Sequence, residues 1–197
     1  VLEAIEEIGA TRRSIGVFGI GCYTAFSNNL DIEVLQATAN RHRTVLVAPQ
    51  ARSGKWDFRG SDTRFTGDIL DNLTCDDPTR TYASGMSMGS AMTFLQACAQ
   101  PRRFAAFGGV GFEVYLPKCA DPDPAPIVAF HGTADQIVPY AGGLTASTAA
   151  APPAEATMRD WARHDGCHSS CPVRSPETSS TCMTCNSWVV PSPLSMW

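Results

Sequence analysis

The stretch TYASGMSMGSAMTF, residues 81 to 94, constrains the fold of this chain more than any other part of the sequence. It begins as a short β-strand and continues, over residues 88 to 99, as a run with apolar side chains at helical spacing. Between the two, Gly85 and Gly89 bracket Ser87. A strand that turns within five residues into an amphipathic helix is typical of α/β folds.

The same alternation of apolar strands and amphipathic helices extends along most of the chain. Further strands are predicted at residues 14–18, 44–48, 104–109 and 126–130, and further helices from Asp31 and over residues 61–73. Continuous apolar strands that alternate with helices predict a mostly parallel sheet with helices on both faces. With 197 residues, 44% of them hydrophobic, the chain is long enough for one such domain.

The composition changes after Gly166. Residues 167–197 are rich in Ser, Thr, Pro and Cys, and their one candidate strand is Trp188 to Val190. We therefore predict an α/β core over residues 1–166 and a tail of uncertain structure over residues 167–197, an atypical or truncated C-terminal part.

Charge and cysteine content narrow the partners and the compartment. A net charge of −4 gives no general attraction to nucleic acid or anionic membranes. The first 13 residues lack the features of a signal peptide, so the protein is either intracellular or has already lost a leader. Eight cysteines favour an oxidising compartment, and hence a secreted or periplasmic protein. The sequence gives no signal of oligomeric state.

The Gly-x-Ser-x-Gly pattern indicates a nucleophile elbow, a strained turn that exposes the serine hydroxyl above the sheet. The alternative is an ordinary turn containing a serine. A serine nucleophile needs a histidine base and a carboxylate that orients it. Asp135 follows the strand at 126–130, which brings it to the sheet edge expected for Ser87, although it could instead only form a turn. We interpret His131, which precedes this acid, as structural and orienting the loop through hydrogen bonds.

Two segments, RTYASGMSMGSAMTFLQACAQPRRFAAFGGVGF and PIVAFHGTADQIVPYAGG, carry a resemblance to a known family. They resemble the secreted α/β-hydrolase esterases that include polyhydroxybutyrate depolymerases and feruloyl and acetylxylan esterases, over roughly residues 14 to 167. The resemblance implies that Ser87 is the nucleophile and Asp135 the triad acid in hydrolysis of polyester or plant cell-wall esters. On this interpretation, the reaction would proceed through an acyl-enzyme and would require neither a metal nor an organic cofactor.

The resemblance also implies an oxyanion hole and a substrate contact. The backbone N–H groups of Met88 and Ile20 would bind the oxyanion, and Trp56 matches a loop near the substrate cleft. The turn after the first strand, residues 18–21, departs from the family because Phe18 occupies the position of a histidine.

The catalytic base is the least defined part of the site. The family places its histidine in a glycine-rich loop near the C-terminus, and nothing in residues 168–197 matches that loop. His168 is the first candidate and His164 the second, and a site without a base is the remaining alternative. Without a base, the chain would be a catalytically impaired, hydrolase-like binding protein.

The cysteines allow two interpretations. Four in the tail could hold a zinc ion, with His168 as a spare ligand: Cys167, Cys171, Cys182 and Cys185. Disulfides are the favoured interpretation, and the resemblance implies a bridge at Cys167. Cys98 lies on the helix after Ser87 and could instead be a buried small hydrophobe.

Overall fold

A computed structural model describes the part of the chain that contains most of the predicted elements. The described residues are 14–20, 37, 39–42, 44–49, 56–73, 78–114, 119, 123–166 and 187–192, with 14–20 and 187–192 described by their backbone.

Six strands form one sheet in which every neighbouring pair is parallel, which confirms the mostly parallel sheet. They are β1 (Ser14–Ile20), β2 (Thr44–Val47), β3 (Thr81–Met86), β4 (Ala106–Val110), β5 (Ile127–Gly132) and β8 (Ser187–Ser192). Their spatial order is β2-β1-β3-β4-β5-β8. A small antiparallel pair, β6 (Gly143–Leu144) and β7 (Ala150–Ala151), lies between β5 and β8 in the chain.

Three helices with both ends in the described part of the chain, and two short 3₁₀ turns, connect the strands. The helices are α1 (Ser61–Asp71), α2 (Met88–Ala99) and α3 (Ala154–His164), and the 3₁₀ turns are Pro78–Arg80 and Pro101–Arg103. The rings of Phe94 on α2 and Trp161 on α3 lie 5.8 Å apart, so these two helices share one face of the sheet.

The connection from β1 to β2 runs across the sheet in the opposite direction to the later connections. Because parallel crossovers are right-handed, it places residues 39–41, which are helical, on the other face. The predicted helices on both faces follow from this topology.

The first turn of α2 packs very closely on the sheet. A Cβ atom on Gly109 of β4 would lie 2.6 Å from Ser90 Oγ and 2.8 Å from Phe94 Cε2, so any larger residue would force these side chains to move. The core continues outward from this contact with buried apolar side chains from both layers: Leu70, Ala83, Phe107, Ile127, Ala129, Met158 and Trp161. This packing fixes α2, and with it the turn that begins the helix.

Most predicted elements differ from the observed ones by one or two residues at an end, and two of the differences bear on the site. Strand β1 continues through Ile20, beyond the predicted end at Phe18, because it pairs with β3 up to that residue. The predicted strand at Trp188 to Val190 is confirmed, but it is longer, and β8 pairs with β5 as part of the main sheet. Residues 187–192 of the predicted tail therefore belong to the main sheet. The helix predicted from Asp31 falls largely outside the described residues.

The structure contains a disulfide between Cys98 and Cys119, whose Cα atoms lie 5.1 Å apart. It confirms the disulfide prediction, and the alternative of Cys98 as an unbridged hydrophobe is wrong. The four tail cysteines lie outside the described residues. Within the described ranges, no group of three or more metal-ligating side chains comes together. None of the helices described is long and apolar enough to cross a membrane.

Candidate active site

Ser87 occupies a strained turn between β3 and α2. Its backbone torsions are φ 55° and ψ −121°, in a region that residues other than glycine rarely adopt. The Ser87 N–H donates to the Val110 carbonyl at 2.8 Å, and the Ser87 carbonyl accepts from the Ala91 N–H at 3.1 Å. Such strain costs about 1–3 kcal/mol and persists only where the surrounding structure enforces it. The turn has the geometry that the Gly-x-Ser-x-Gly pattern predicts.

Ser87 and Ile20 lie at the point where the sheet reverses its strand order. Ile20 ends β1 and is in register with Met86, the last residue of β3. The connections that follow β1 and β3 run in opposite directions, which opens a crevice beyond the carboxyl ends of these two strands. Met88 begins α2 at the same edge, where the helix dipole is positive.

Asp135 is held in a tight loop after β5. Its buried carboxylate accepts two hydrogen bonds at Oδ1, from the N–H groups of Ile137 (2.8 Å) and Val138 (2.9 Å). The Asp135 N–H donates to the Gly132 carbonyl at 3.1 Å. Asp135 therefore forms the turn that the sequence offered as its alternative role. Both of these bonds go to Oδ1, and Oδ2 lies 3.7 Å from His131 Nε2.

The loop of Asp135 and the turn of Ser87 share one edge of the sheet. Met86, Val110 and Phe130 are aligned across β3, β4 and β5, and Ser87 directly follows the first of them. Since neighbouring strands lie about 4.8 Å apart, β3 and β5 are separated by about 10 Å. An imidazole between a serine and a carboxylate spans a gap of this order.

His131 stabilises the Asp135 loop from within, as predicted. It is 1% exposed, its Nε2–H donates to the Val138 carbonyl at 2.8 Å, and its Nδ1 lies 2.8 Å from Glu113 Oε2. Its ring meets Tyr140 edge-on, with centroids 5.6 Å apart. Burial alone would lower the pKa of His131, but the hydrogen bond and charge of Glu113 outweigh it and raise the pKa above its usual value.

Glu113 was not among the sequence predictions. It is 3% exposed and follows β4 at the same edge as Ser87. The carbonyls on either side of it accept hydrogen bonds from the core: Phe112 from Ser90 Oγ at 2.7 Å, and Val114 from Trp161 Nε1 at 3.0 Å. The sequence contained one indication of this role: Glu113 closely follows a predicted apolar strand, and polar sites form at the carboxyl ends of parallel strands.

The described histidines can be compared as candidate bases. His164 ends α3 beside Asp165, whose carboxylate accepts from the Ala125 N–H just before β5. This places His164 at the amino edge of the sheet, opposite Ser87, so the prediction of His164 as an alternative base is wrong. His42 precedes β2 at that same amino edge, and both ring nitrogens of His131 are engaged. His168 lies outside the described residues and stays a prediction.

Trp56 lies against the core rather than in open solvent. It is 5% exposed and lines a cavity of about 20 Å³ together with residues of α1, β3 and α2, among them Thr66, Ala83, Ser84, Gly89 and Met92. Its predicted contact with substrate stays a prediction.

A parallel sheet in this order, with a strained serine after β3 and a buried carboxylate after β5, has the α/β-hydrolase fold. Two solved esterases share it. A thermostable esterase superposes with a TM-score of 0.60 at 19% identity, covering 82% of this chain and 47% of its own. Esterase PE8 superposes with a TM-score of 0.56 at 17% identity, and the match covers 78% of this chain and 79% of the PE8 chain. The predicted fold class is therefore confirmed.

Sequence comparison confirms the predicted resemblance to feruloyl esterases and polyester depolymerases. The chain is 33% identical over 118 residues to feruloyl esterase B of Piromyces equi, covering 54% of this chain and 22% of the relative. It is 30% identical over 105 residues to a probable feruloyl esterase C of Aspergillus oryzae, and the match covers 51% of this chain and 39% of the relative. It is 33% identical over 100 residues to poly(3-hydroxyalkanoate) depolymerase C of Paucimonas lemoignei, and the match covers 43% of this chain and 24% of the relative.

The matched region thus spans about a fifth to two fifths of the length of these relatives. No family model matches the chain.

Proposed function

We propose that this protein hydrolyses carboxylic esters with Ser87 as its nucleophile. The observation that carries the proposal is the φ of 55° at Ser87, in a turn at the same sheet edge as the buried carboxylate of Asp135. A serine hydroxyl held above the carboxyl ends of a parallel sheet is the arrangement that α/β-hydrolases use for acyl transfer. The names of the similar proteins support the same reaction class.

The reaction would proceed through an acyl-enzyme. Ser87 Oγ attacks the ester carbonyl carbon as a histidine, His168 in this proposal, accepts its proton. The N–H groups of Met88 and Ile20 donate to the oxyanion, and the N-terminus of α2 adds its positive dipole. The protonated histidine then donates to the leaving alcohol, and water cleaves the acyl group by the same steps in reverse. These steps require neither a metal nor an organic cofactor.

Asp135 would orient the base and stabilise its charged form. Its Oδ1 is fixed by the Ile137 and Val138 N–H groups, which sets the direction of the second oxygen. A carboxylate held in this way keeps the imidazole in the tautomer that accepts the serine proton.

The proposed substrates are acyl esters of plant cell walls or polyesters, since the similar proteins are named as feruloyl esterases and a poly(3-hydroxyalkanoate) depolymerase. Trp56 is the proposed substrate-side aromatic residue. The Cys98–Cys119 disulfide supports an oxidising location, and we propose a secreted or periplasmic protein.

Turnover of p-nitrophenyl acetate tests the proposal. Ser87→Ala should lower kcat by roughly 10⁴-fold or more, since it removes the nucleophile. His168→Ala should lower it by a comparable factor if this histidine is the base. Ser147→Ala in the exposed β6–β7 hairpin and His42→Ala before β2 are the matched controls and should keep parental rates. A parent without measurable turnover contradicts the esterase proposal.

A second candidate is a hydrolase-like binding protein that lacks a base. The observation in its favour is that His42, His131 and His164, the histidines within the described ranges, all lie away from Ser87 or are engaged elsewhere. A parent that binds a feruloyl ester in calorimetry but leaves it intact would support this candidate. Turnover that depends on Ser87 would exclude it.

A further inference from the structure

We propose that Glu113 and His131 form a buried ion pair that positions the Asp135 loop, residues 132–138, for catalysis. This inference rests on the proposed function, because it assigns Glu113 and His131 as positioning residues for the triad acid. Its observations are the 2.8 Å contact between Glu113 Oε2 and His131 Nδ1 and the bonds that join His131 to that loop.

His131 and Asp135 bind the same residue of the loop from two sides. The His131 Nε2–H donates to the Val138 carbonyl, and the Val138 N–H donates to Asp135 Oδ1. His131 Nε2 also lies 3.7 Å from Asp135 Oδ2. A shift of the imidazole would therefore move Val138, and Val138 supplies one of the two donors that fix the carboxylate of Asp135.

The hydrogen bonds determine the charge of the pair. A carbonyl only accepts, so Nε2 carries a proton; the Nδ1 contact with a carboxylate oxygen needs a second proton between the two atoms. On Nδ1, that proton makes His131 an imidazolium between two carboxylates, those of Glu113 and Asp135. Among the described residues, Tyr140 is the other titratable group at the ring. Burial, followed by the negative charges of Glu155 and Glu113, raises the pKa of its hydroxyl.

The backbone on either side of Glu113 is hydrogen-bonded to side chains of the core. The carbonyls before and after it are bonded to Ser90 of α2 and Trp161 of α3, and both of these side chains are fully buried. A continuous series of hydrogen bonds therefore connects the core to Asp135: Glu113 contacts His131, His131 bonds the Val138 carbonyl, and the Val138 N–H bonds Asp135. The same core contact fixes α2, which begins directly after Ser87.

Stability alone does not account for the pair. Burying two charges costs about as much as their attraction returns, and apolar replacements of such pairs are often neutral. Glu113 Oε1 is also buried without a hydrogen-bond partner among the described residues, which adds to the cost. A fixed geometry at Asp135 is a benefit that apolar side chains could not provide, since they would not hold the Val138 carbonyl.

The test compares the parent with Glu113→Gln, which keeps the shape of the side chain and removes its charge. Asp123→Asn, in an exposed pair with Arg102 before β5, is the matched control. Amide hydrogen exchange reports on the loop without requiring activity: exchange at Ile137 and Val138 should become about 10-fold faster or more in Glu113→Gln, while amides of α2 keep their rates.

Activity gives a second readout. In Glu113→Gln, kcat for p-nitrophenyl acetate should fall roughly 10- to 100-fold, as expected for a misplaced catalytic group, with KM within about twofold. The remaining activity should decline with rising pH at lower pH than in the parent, because burial lowers the pKa of His131 once the charge of Glu113 is removed. Asp123→Asn should match the parent in every measurement.

Unchanged exchange at Ile137 and Val138 in a folded Glu113→Gln variant would overturn the inference. An inactive parent would refute the proposed function, and the exchange rates would still decide whether the pair positions the loop. If Glu113→Gln does not fold, the ¹⁵N shifts of His131 in the parent decide: two protonated ring nitrogens at pH 7.5 support the ion pair, and a neutral ring overturns it.

Discussion

The Ser87 turn and the Asp135 loop lie at the same sheet edge, but they are held in place by different means. Ser87 is positioned by its own backbone, in a strained conformation enforced by the packing of α2 on β4. The carboxylate of Asp135 is positioned by backbone N–H groups of its own loop, and that loop is bonded to the buried Glu113–His131 pair. Steric changes should therefore disturb mainly the Ser87 turn, and changes of charge mainly the Asp135 loop.

Among the changes that distinguish these two regions, the largest effect should come from removing the charge of Asp135 while keeping its hydrogen bonds. In Asp135→Asn, the amide oxygen can still accept from Ile137 and Val138, so the loop should keep its shape. We expect kcat to fall roughly 10²- to 10⁴-fold with little change in KM, because the base loses its counter-charge. Steady-state hydrolysis of p-nitrophenyl acetate measures this.

The control for this prediction is Asp160→Asn on α3, where an exposed carboxylate pairs with Arg163. A parental kcat in Asp135→Asn would show that the loop contributes only to structure.

A steric change should act on the Ser87 side. Gly109→Ala places a Cβ atom 2.6 Å from Ser90 Oγ, and we expect it to lower the free energy of unfolding by about 1–3 kcal/mol. Gly108→Ala is the matched control, since its Cβ atom would lie 3.5 Å from Ser84 Cβ, an ordinary contact. Urea unfolding measures both variants. Equal stability of the two would show that the α2 contact does not enforce the turn.

The smallest effect should be the pH dependence that His131 adds to stability. Its raised pKa in the folded protein means that the stabilisation is complete below the unfolded value of about 6.5 and is lost as the pH rises through the folded value. The parent should therefore lose more stability than Glu113→Gln between pH 6 and pH 9. Urea unfolding at the two pH values tests this, and parallel pH dependences would contradict the raised pKa.

The same contrast explains what the sequence could predict. The Ser87 turn is encoded within five consecutive residues, and the apolar strands around it identify a parallel sheet, so both were predictable. The role of Glu113 depends on His131, 18 positions further along the chain, and on Trp161 beyond that. Such contacts exist only once the strands are in register, and no local pattern encodes them.

The location of His164 and the place of β8 in the sheet were not predicted, for a related reason. His164 follows Asp135 in the sequence, and its distance from Ser87 became evident only from the direction of α3 across the sheet. Strand β8 lies in a segment that is rich in Ser, Thr, Pro and Cys, and this composition suggests a tail. A strand at the end of the sheet needs only a short apolar run, so the composition of the segment did not show that it pairs with β5.

The most direct test of the central claim is to locate the adduct formed by a fluorophosphonate probe. The native parent should carry the adduct on Ser87, identified by peptide mass spectrometry, and Ser87→Ala or urea-unfolded protein should carry none. An adduct at another residue, or equal labelling of the native and unfolded chains, would contradict the claim that the fold activates this serine.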